Sequence, residues 1–410
     1  MRSKSEEVIA KQEQDALPEL RFAEFKKLGA WKERRLGEVI SFQAGFPFAS
    51  AKFSEKRVGL RLIRNRDLRS NEKAIFYSGD FEDCYVVGDG DVLIGMDGDF
   101  TPHIWSAGRA LLNQRVGRIA TTEECNLDFA YYLLSLHLKE VEHATAKTTV
   151  KHLSHSDVEN IEAPLPVLVE QHKIAGCLSS VDACIGAEIR KLDVLKAHKQ
   201  GLMQQLFPAE SQHLPSLRFR GFAGRWDEVA LSSQVELVSG QHLAPDQYSI
   251  DGEIPYFTGP SDYSNSLNSV PKWTASSKNI GRKGDTLITV KGSGVGELLH
   301  LKLEEVALGR QLMAVRPIAA DGDFVFQFLL TQRKRLVSLA AGNLIPGLSR
   351  GDILGLPVLV PEREEQRKIG EFLASLDALI DNLSLKVTML QQHKRGLMHG
   401  LFPVIEAHAP

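Results

Sequence analysis

The chain has 410 residues, 43% hydrophobic and 25% charged, with a formal net charge of −3. That size accommodates two or three domains with their own cores, the composition is that of an ordinary globular protein, and no apolar run approaches the length of a membrane-spanning helix. The slightly acidic balance speaks against a nucleic-acid binder that is basic all over, while leaving room for local basic patches.

In chain order, residues 1–16 read as a charged N-terminal tail without the apolar stretch of a signal peptide, so the expected location is the cytoplasm. Residues 17–168 read as a globule of short β-branched and aromatic runs broken by Gly, Asn, Asp and Ser, such as "RLGEVISFQAG" and "DVLIGMDGDF", with a helix at Phe129 to Leu136. A long helix follows at 169–208, with Pro166 ahead of it and Pro208 closing it. Its apolar positions include Ile174, Leu178, Val181, Ile185, Leu192 and Leu195, spaced by three and four into one narrow stripe.

Then the chain repeats itself. "LPELRF" returns as "LPSLRF", "GDVLIG" as "GDTLIT", "LSHSD" as "LSRGD", "EQHKIAG" as "EQRKIGE", and "HKQGLMQQLFP" from His198 as "HKRGLMHGLFP" from His393. A period this long is a duplicated domain with a duplicated connector, not a solenoid. The second globule spans 209–361 and the second helix 362–403, with its stripe at Ile369, Leu373, Leu376, Ile380 and Leu390; residues 404–410 form a tail. Gly201 and Gly396, near the end of each helix, predict a bend or a helix end there. Such narrow stripes need partners, and the obvious partner of each helix is the other. The expected fold is α+β: two tandem β-rich globules joined by two long antiparallel helices about a pseudo-two-fold axis.

Little in the chain suggests chemistry. There is no phosphate loop of the G-x-x-x-x-G-K-[ST] type and no HExxH. "KGSGVGELL" at Lys291 to Leu299 lacks the helix and ribose acid of a dinucleotide unit and reads as a turn. Asp97 and Asp99 in "MDGDF" could share a metal, but no third acidic ligand stands at suggestive spacing, and a polar turn is the simpler account. The four cysteines show no CxxC pairing and read as idle thiols.

Binding is better supported. "KFSEKRVGLRLIRNRDLRS" carries seven Lys or Arg against two acids. Lys52, Lys56, Arg57, Arg61, Arg64, Arg66 and Arg69 suit phosphate contacts, and Asn65 and Arg66 suit base edges, although "RLIRNR" also fits an ordinary half-buried strand. Gln114 and Arg115 occupy the place in the first copy that Arg310 and Gln311 occupy in the second, and Arg with Gln suits the reading of guanine and adenine. Lys272, Lys291 and Ser293 lie in loop-like basic stretches of the second globule. Tyr263 and Trp273 are stacking candidates or core aromatics.

Taken together, "LSHSDVENIEAPLPVLVEQHKIAGCLSSVD", its counterpart "LSRGDILGLPVLVPEREEQRKIGEFLASLDALI", and the repeated "LPxLRF" and "GLMxxLFP" phrases make the chain resemble the specificity subunit of a type I restriction-modification enzyme. The resemblance covers essentially the whole chain. It implies a non-catalytic subunit whose two globules each read one half of a split, asymmetric sequence in double-stranded DNA. It implies helices that set the gap and dock two methyltransferase subunits, through which motor-nuclease subunits join. S-adenosylmethionine would be bound by the methyltransferases, and this chain would bind no cofactor, metal or membrane. A protein-binding scaffold, or a metal-dependent nuclease using Asp97 and Asp99, are the competing readings.

Overall fold

The computed structural model describes residues 17–70, 72–145, 152–209, 211–342 and 347–403; the tails expected at 1–16 and 404–410 lie outside them. The first repeat supplies β1 (Lys32–Arg35), β2 (Ile40–Ala44), β3 (Phe53–Ser54), β4 (Leu60–Ile63), β5 (Ile75–Tyr77), β6 (Val86–Val87), β7 (Val92–Gly95), β8 (Pro102–Ile104), β9 (Ala110–Leu112) and β10 (Val116–Thr121). After them come α1 (Leu127–Thr145), α2 (His155–Glu159), β11 (Glu162–Leu165) and α3 (Leu168–Leu206). The second repeat supplies β12 (Asp227–Ala230), β13 (Val235–Ser239), β14 (Ile254–Phe257), β15 (Trp273–Thr274), β16 (Ile280–Arg282), β17 (Thr286–Thr289), β18 (Leu298–His300), β19 (Glu305–Leu308) and β20 (Leu312–Pro317). It ends with α4 (Gly322–Gly342), α5 (Arg350–Leu354), β21 (Pro357–Val360) and α6 (Arg363–Leu401).

The fold is the expected mixed one, and both repeats use the same plan. Each has a four-stranded antiparallel sheet, β2-β10-β7-β8 in the first and β13-β20-β17-β18 in the second. Each has a second sheet built around one parallel pair, β4–β9 or β14–β19, and a two-stranded closure, β1–β11 or β12–β21. The alternating burial of β2 and β13 shows the period of two that a half-covered sheet requires.

By contacts the chain forms two compact units, Met1–Ala187 with Val387–Pro410, and Glu188–Lys386. Their boundary falls inside both long helices, and this decides which copy packs where. The core of the first unit gathers Trp31, Phe42, Ile94, Phe129, Leu133, Ile174 and Leu178, and it includes Leu401 and Phe402 from the far end of the sequence. The core of the second gathers Trp226, Ile288, Phe324, Leu329, Ile369 and Leu373 together with Leu206 and Phe207. Each copy of the closing phrase therefore completes the core built by the other repeat. Lys394 of the second phrase bonds Asp182 at 2.7 Å in the first unit, and Lys199 of the first phrase bonds Asp377 at 2.5 Å in the second. In the second unit the helix segments run antiparallel, with Glu188 opposite Lys386 and Lys199 opposite Asp377.

Two expectations need correction. Gly201 and Gly396 do not end the helices, which continue to Leu206 and Leu401. Nothing approaches a side chain at either glycine, and the packing of Leu202, Met203, Leu397 and Met398 on the cores outweighs the cost of about 1 kcal/mol per glycine. The stripe residues are also not a free docking surface. Ile174, Leu178, Ile185, Leu192, Ile369 and Leu373 are buried, and Val181, Leu195, Leu376, Ile380 and Leu390 half-buried, within this chain alone. Among the described residues no helix is long and apolar enough to cross a membrane.

One buried group in α1 gives this fold a pH dependence. His137 is buried, its Nε2 has no hydrogen-bond partner among the described residues, and burial pushes its imidazolium down to about 4. A base with a depressed pKa leaves stability intact above its unfolded value near 6.5 and removes it as pH falls towards 4, by about 3 kcal/mol in all. His137→Leu should therefore gain about that much relative to the unmodified chain between roughly pH 7 and pH 4 in urea unfolding. A difference between the two proteins that stays constant with pH would contradict this.

Candidate nucleic-acid interface

Three loops meet in each unit. In the first they are the turn Asn65–Leu68 after β4, the β7–β8 hairpin loop around Asp97, and the tight turn Asn113 to Arg115 between β9 and β10. The main chain fixes their mutual position: Met96 N–H donates to the Arg115 carbonyl at 3.0 Å, and Leu153 N–H donates to the Met96 carbonyl at 2.8 Å. The second unit repeats the frame bond for bond. Val290 N–H donates to the Gln311 carbonyl at 2.7 Å, and Leu348 N–H donates to the Val290 carbonyl at 2.8 Å. Asp97, Arg115 and His152 in one unit thus stand where Lys291, Gln311 and Gly347 stand in the other.

The side chains on this shared frame differ. Asp97 Oδ1 is shared by Arg115 Nη1 at 3.2 Å and His152 Nδ1 at 3.0 Å. Asn65 donates its amide to the Asp97 carbonyl at 2.6 Å, and its Oδ1 fills the space where any side chain at Gly95 would stand. Asp99 pairs with Arg69 and accepts from the Thr101 amide and hydroxyl. Partial burial raises its pKa, but the Thr101 hydrogen bonds and the Arg69 charge outweigh that and hold it below the usual carboxylate range. In the second unit Gln311 lies beside Gly259 and Gly292, its Oε1 3.1 Å from where a Gly259 side chain would begin. Lys291 and Ser293 are exposed in the loop after β17, which is a hairpin turn and leads into a strand, not a helix.

The other candidates sort as follows. Arg64 is occupied locally: its Nε and Nη2 grip buried Asp67 at 2.8 and 2.9 Å and Nη2 also reaches the Lys73 carbonyl. Asn65, expected at base edges, is a strut between two loops. Arg61 lies over the Trp105 ring at 4.8 Å. Lys52, Lys56 and Arg57 sit before β4 while Arg66 and Arg69 follow it, so the basic run is divided between opposite ends of a strand roughly 13 Å long. Arg66, Arg69, Gln114 and Arg310 are exposed at the three-loop patch. Tyr263 packs half-buried against the core near Phe257 with its hydroxyl 3.1 Å from Thr289 Oγ1, and burial pushes its pKa up. Trp273 packs against the same core. Lys272 reaches Thr258 Oγ1 at 2.9 Å and buried Asp262 at 3.5 Å. The Asp97 and Asp99 carboxylates both face cationic side chains, and among the described residues no group of His, Cys, Asp and Glu is arranged to hold a metal.

Sequence reasoning missed the pair Asp67 and Asp262. Both are buried and both hold the residue just past a strand: Arg64 N–H donates to Asp67 Oδ2 at 2.9 Å, and Thr258 N–H donates to Asp262 Oδ2 at 2.8 Å. A short polar residue four or five positions past an apolar strand was the available signal.

With this geometry in place, the comparisons with known proteins are informative. The model of the type I restriction modification DNA specificity domain matches residues 29–197 and 224–388. The type I restriction enzyme EcoBI specificity subunit of Escherichia coli is 32% identical over 221 residues, 54% of this chain and 45% of that protein, so the match spans under half of that relative. The type I restriction enzyme MjaVIII specificity subunit of Methanocaldococcus jannaschii is 26% identical over 418 residues, 90% of this chain and 92% of that one. Among solved structures, a type I restriction-modification system S subunit from M. genitalium superposes with a TM-score of 0.70 at 17% identity, covering 95% of this chain and all of that one. A chain from a study of complex assembly and conformational transition in the type I R-M system gives 0.51 at 18% identity, over 91% and 97% of the two chains. At such identities the likeness is one of fold.

Proposed function

Because the chain belongs to the type I restriction modification DNA specificity family, with matches in both repeats, we propose that it reads a two-part DNA target, one half with the three-loop patch of each unit. The observation that carries this is the shared frame with unlike side chains. One backbone arrangement presents Asp97, Arg115 and His152 in the first unit and Lys291, Gln311 and Gly347 in the second. A scaffold for two identical partners would keep such positions alike. Two readers of different half-sites must vary them, because base edges are told apart by the donors and acceptors set against them.

In this reading the chain performs no chemistry and binds no cofactor. Two methyltransferase subunits hold S-adenosylmethionine and modify adenines, and motor-nuclease subunits join through them. Each long helix of 39 residues measures about 58 Å, longer than the roughly 34 Å between half-sites on one face of the duplex. The pair sets the gap. The stripe residues being internal, the methyltransferases dock on the outer faces, where Val194, Leu379, Leu385 and Met389 are exposed. Exposed Arg66 supplies a phosphate contact, and the methyltransferases supply the rest.

The test is a genome-wide map of methylated adenines in cells carrying the chain with its methyltransferase, compared with cells lacking only the chain. A split motif should vanish with the chain, and one added turn in both helices should change the gap while leaving both half-sites intact. Methylation that persists unchanged without the chain would overturn the reading in favour of a scaffold.

A further inference from the structure

The place that Arg115 and Gln311 share is the best fixed point of the patch. Each residue stands just before an inner strand of its four-stranded sheet, and each carbonyl is tied to the facing hairpin. Resting on the DNA-reading function above, we propose that this is the base-reading position of each unit: Arg115, positioned by Asp97, reads a guanine in one half-site, and Gln311 reads an adenine in the other.

Three observations carry the assignment. First, Arg115 is aimed. One of its nitrogens is held by Asp97 at 3.2 Å while the side chain stays 55% exposed, so the rest of the guanidinium fork faces outward from a restricted pose. A held planar fork matches the paired O6 and N7 acceptors of guanine and loses less freedom on binding than a loose one. Second, the carboxylate beside it makes Arg115 a poor phosphate ligand. Asp97 would stand close to the phosphate charge and repel it, whereas beside a base edge its second oxygen can accept from an exocyclic amine. His152 on the same oxygen, and Asn65 bracing the loop beneath, keep that carboxylate in place. Third, at Gln311 both flanking positions are glycine. The bare backbone of Gly259 and Gly292 borders the half-buried Gln311 with no side chain of their own to cover its amide, and a side chain at Gly259 would press on its Oε1. A glutamine amide presented in this way pairs with N6 and N7 of adenine.

The experiment maps methylated adenines genome-wide in cells carrying the full complex with the unmodified chain, Arg115→Ala, Arg115→Lys, Asp97→Asn or Gln311→Ala. Arg115→Ala should relax one position, a G·C pair, in one half-site by about 10–100-fold and leave the other half-site sharp. Arg115→Lys should restore it only in part, because a flexible ammonium lacks the fixed planar fork that Asp97 orients. Asp97→Asn should relax that same position alone, whereas a merely structural role would blur the whole half-site. Gln311→Ala should relax one A·T pair in the other half-site. An unchanged motif in Arg115→Ala, a wild-type motif restored by lysine, or a first half-site without guanine would each overturn the assignment while leaving DNA reading intact. Absence of any chain-dependent motif with the unmodified protein would instead remove the function on which it rests.

Discussion

Arg21→Ala is expected to lower the stability of the first unit by about 3–5 kcal/mol, although Arg21 lies far in sequence from its partner. The reason is Glu170. Its side chain is 1% exposed, and it accepts from Arg21 Nε and Nη2, both at 2.8 Å, and from Trp31 Nε1 at 3.3 Å. Arg21 also donates to the Leu28 and Gly29 carbonyls. Deleting the guanidinium leaves a buried carboxylate with one weak donor, which must then take up a proton or admit water. Replacing both partners by leucine should cost much less than the single change, because no charge is then stranded. Urea unfolding of the two variants decides it: a single-mutant loss below about 1 kcal/mol, the worth of an exposed pair, would show that the bridge does not hold the unit together. The second unit repeats the arrangement with Arg218, Trp226 and Glu365, so Arg218→Ala should weaken that unit for the same reason.

That bridge also explains what the sequence could and could not say. The recurring letters proved to be contacts. "LRF", the tryptophan and "EQ" recur because Arg, Trp and Glu meet, and because Gln171 and Gln366 accept from the residues just before α1 and α4, at Asn126 N–H and Asp321 N–H. "LS" followed by Asp recurs because Ser154 with Asp157, and Ser349 with Asp352, form the capping boxes of α2 and α5. The two long helices followed from apolar spacing between flanking prolines, whereas the short α2 and α5 were not read from the sequence. Two things were hidden. A basic run in one dimension does not reveal that β4 separates its ends, nor that Arg64 and Asn65 are occupied by Asp67 and Asp97. A repeat does not reveal pairing either, because two nearly identical phrases fit two nearly identical cores equally well on paper.

That pairing is open to a direct measurement. Phe402 is buried in the core of the first unit, its ring 5.3 Å from Phe129 and 6.4 Å from Trp31. Phe207 is buried in the second, 5.3 Å from Phe324. Removing either ring should cost about 3–5 kcal/mol, the usual loss for a buried phenylalanine. The two losses should fall in opposite places. Phe402→Ala, at the end of the chain, should lower hydrogen-exchange protection in β2, β10 and α1 of the first repeat, and Phe207→Ala should lower it in β13, β20 and α4 of the second. Loosening of each phrase's own repeat instead would refute the exchange. The exchange has a consequence for the chain as a reader of two half-sites. Since each unit is completed by the other repeat's helix end, neither globule reaches full stability from its own repeat alone, and a chain cut short within α6 loses support first in the unit that begins its sequence.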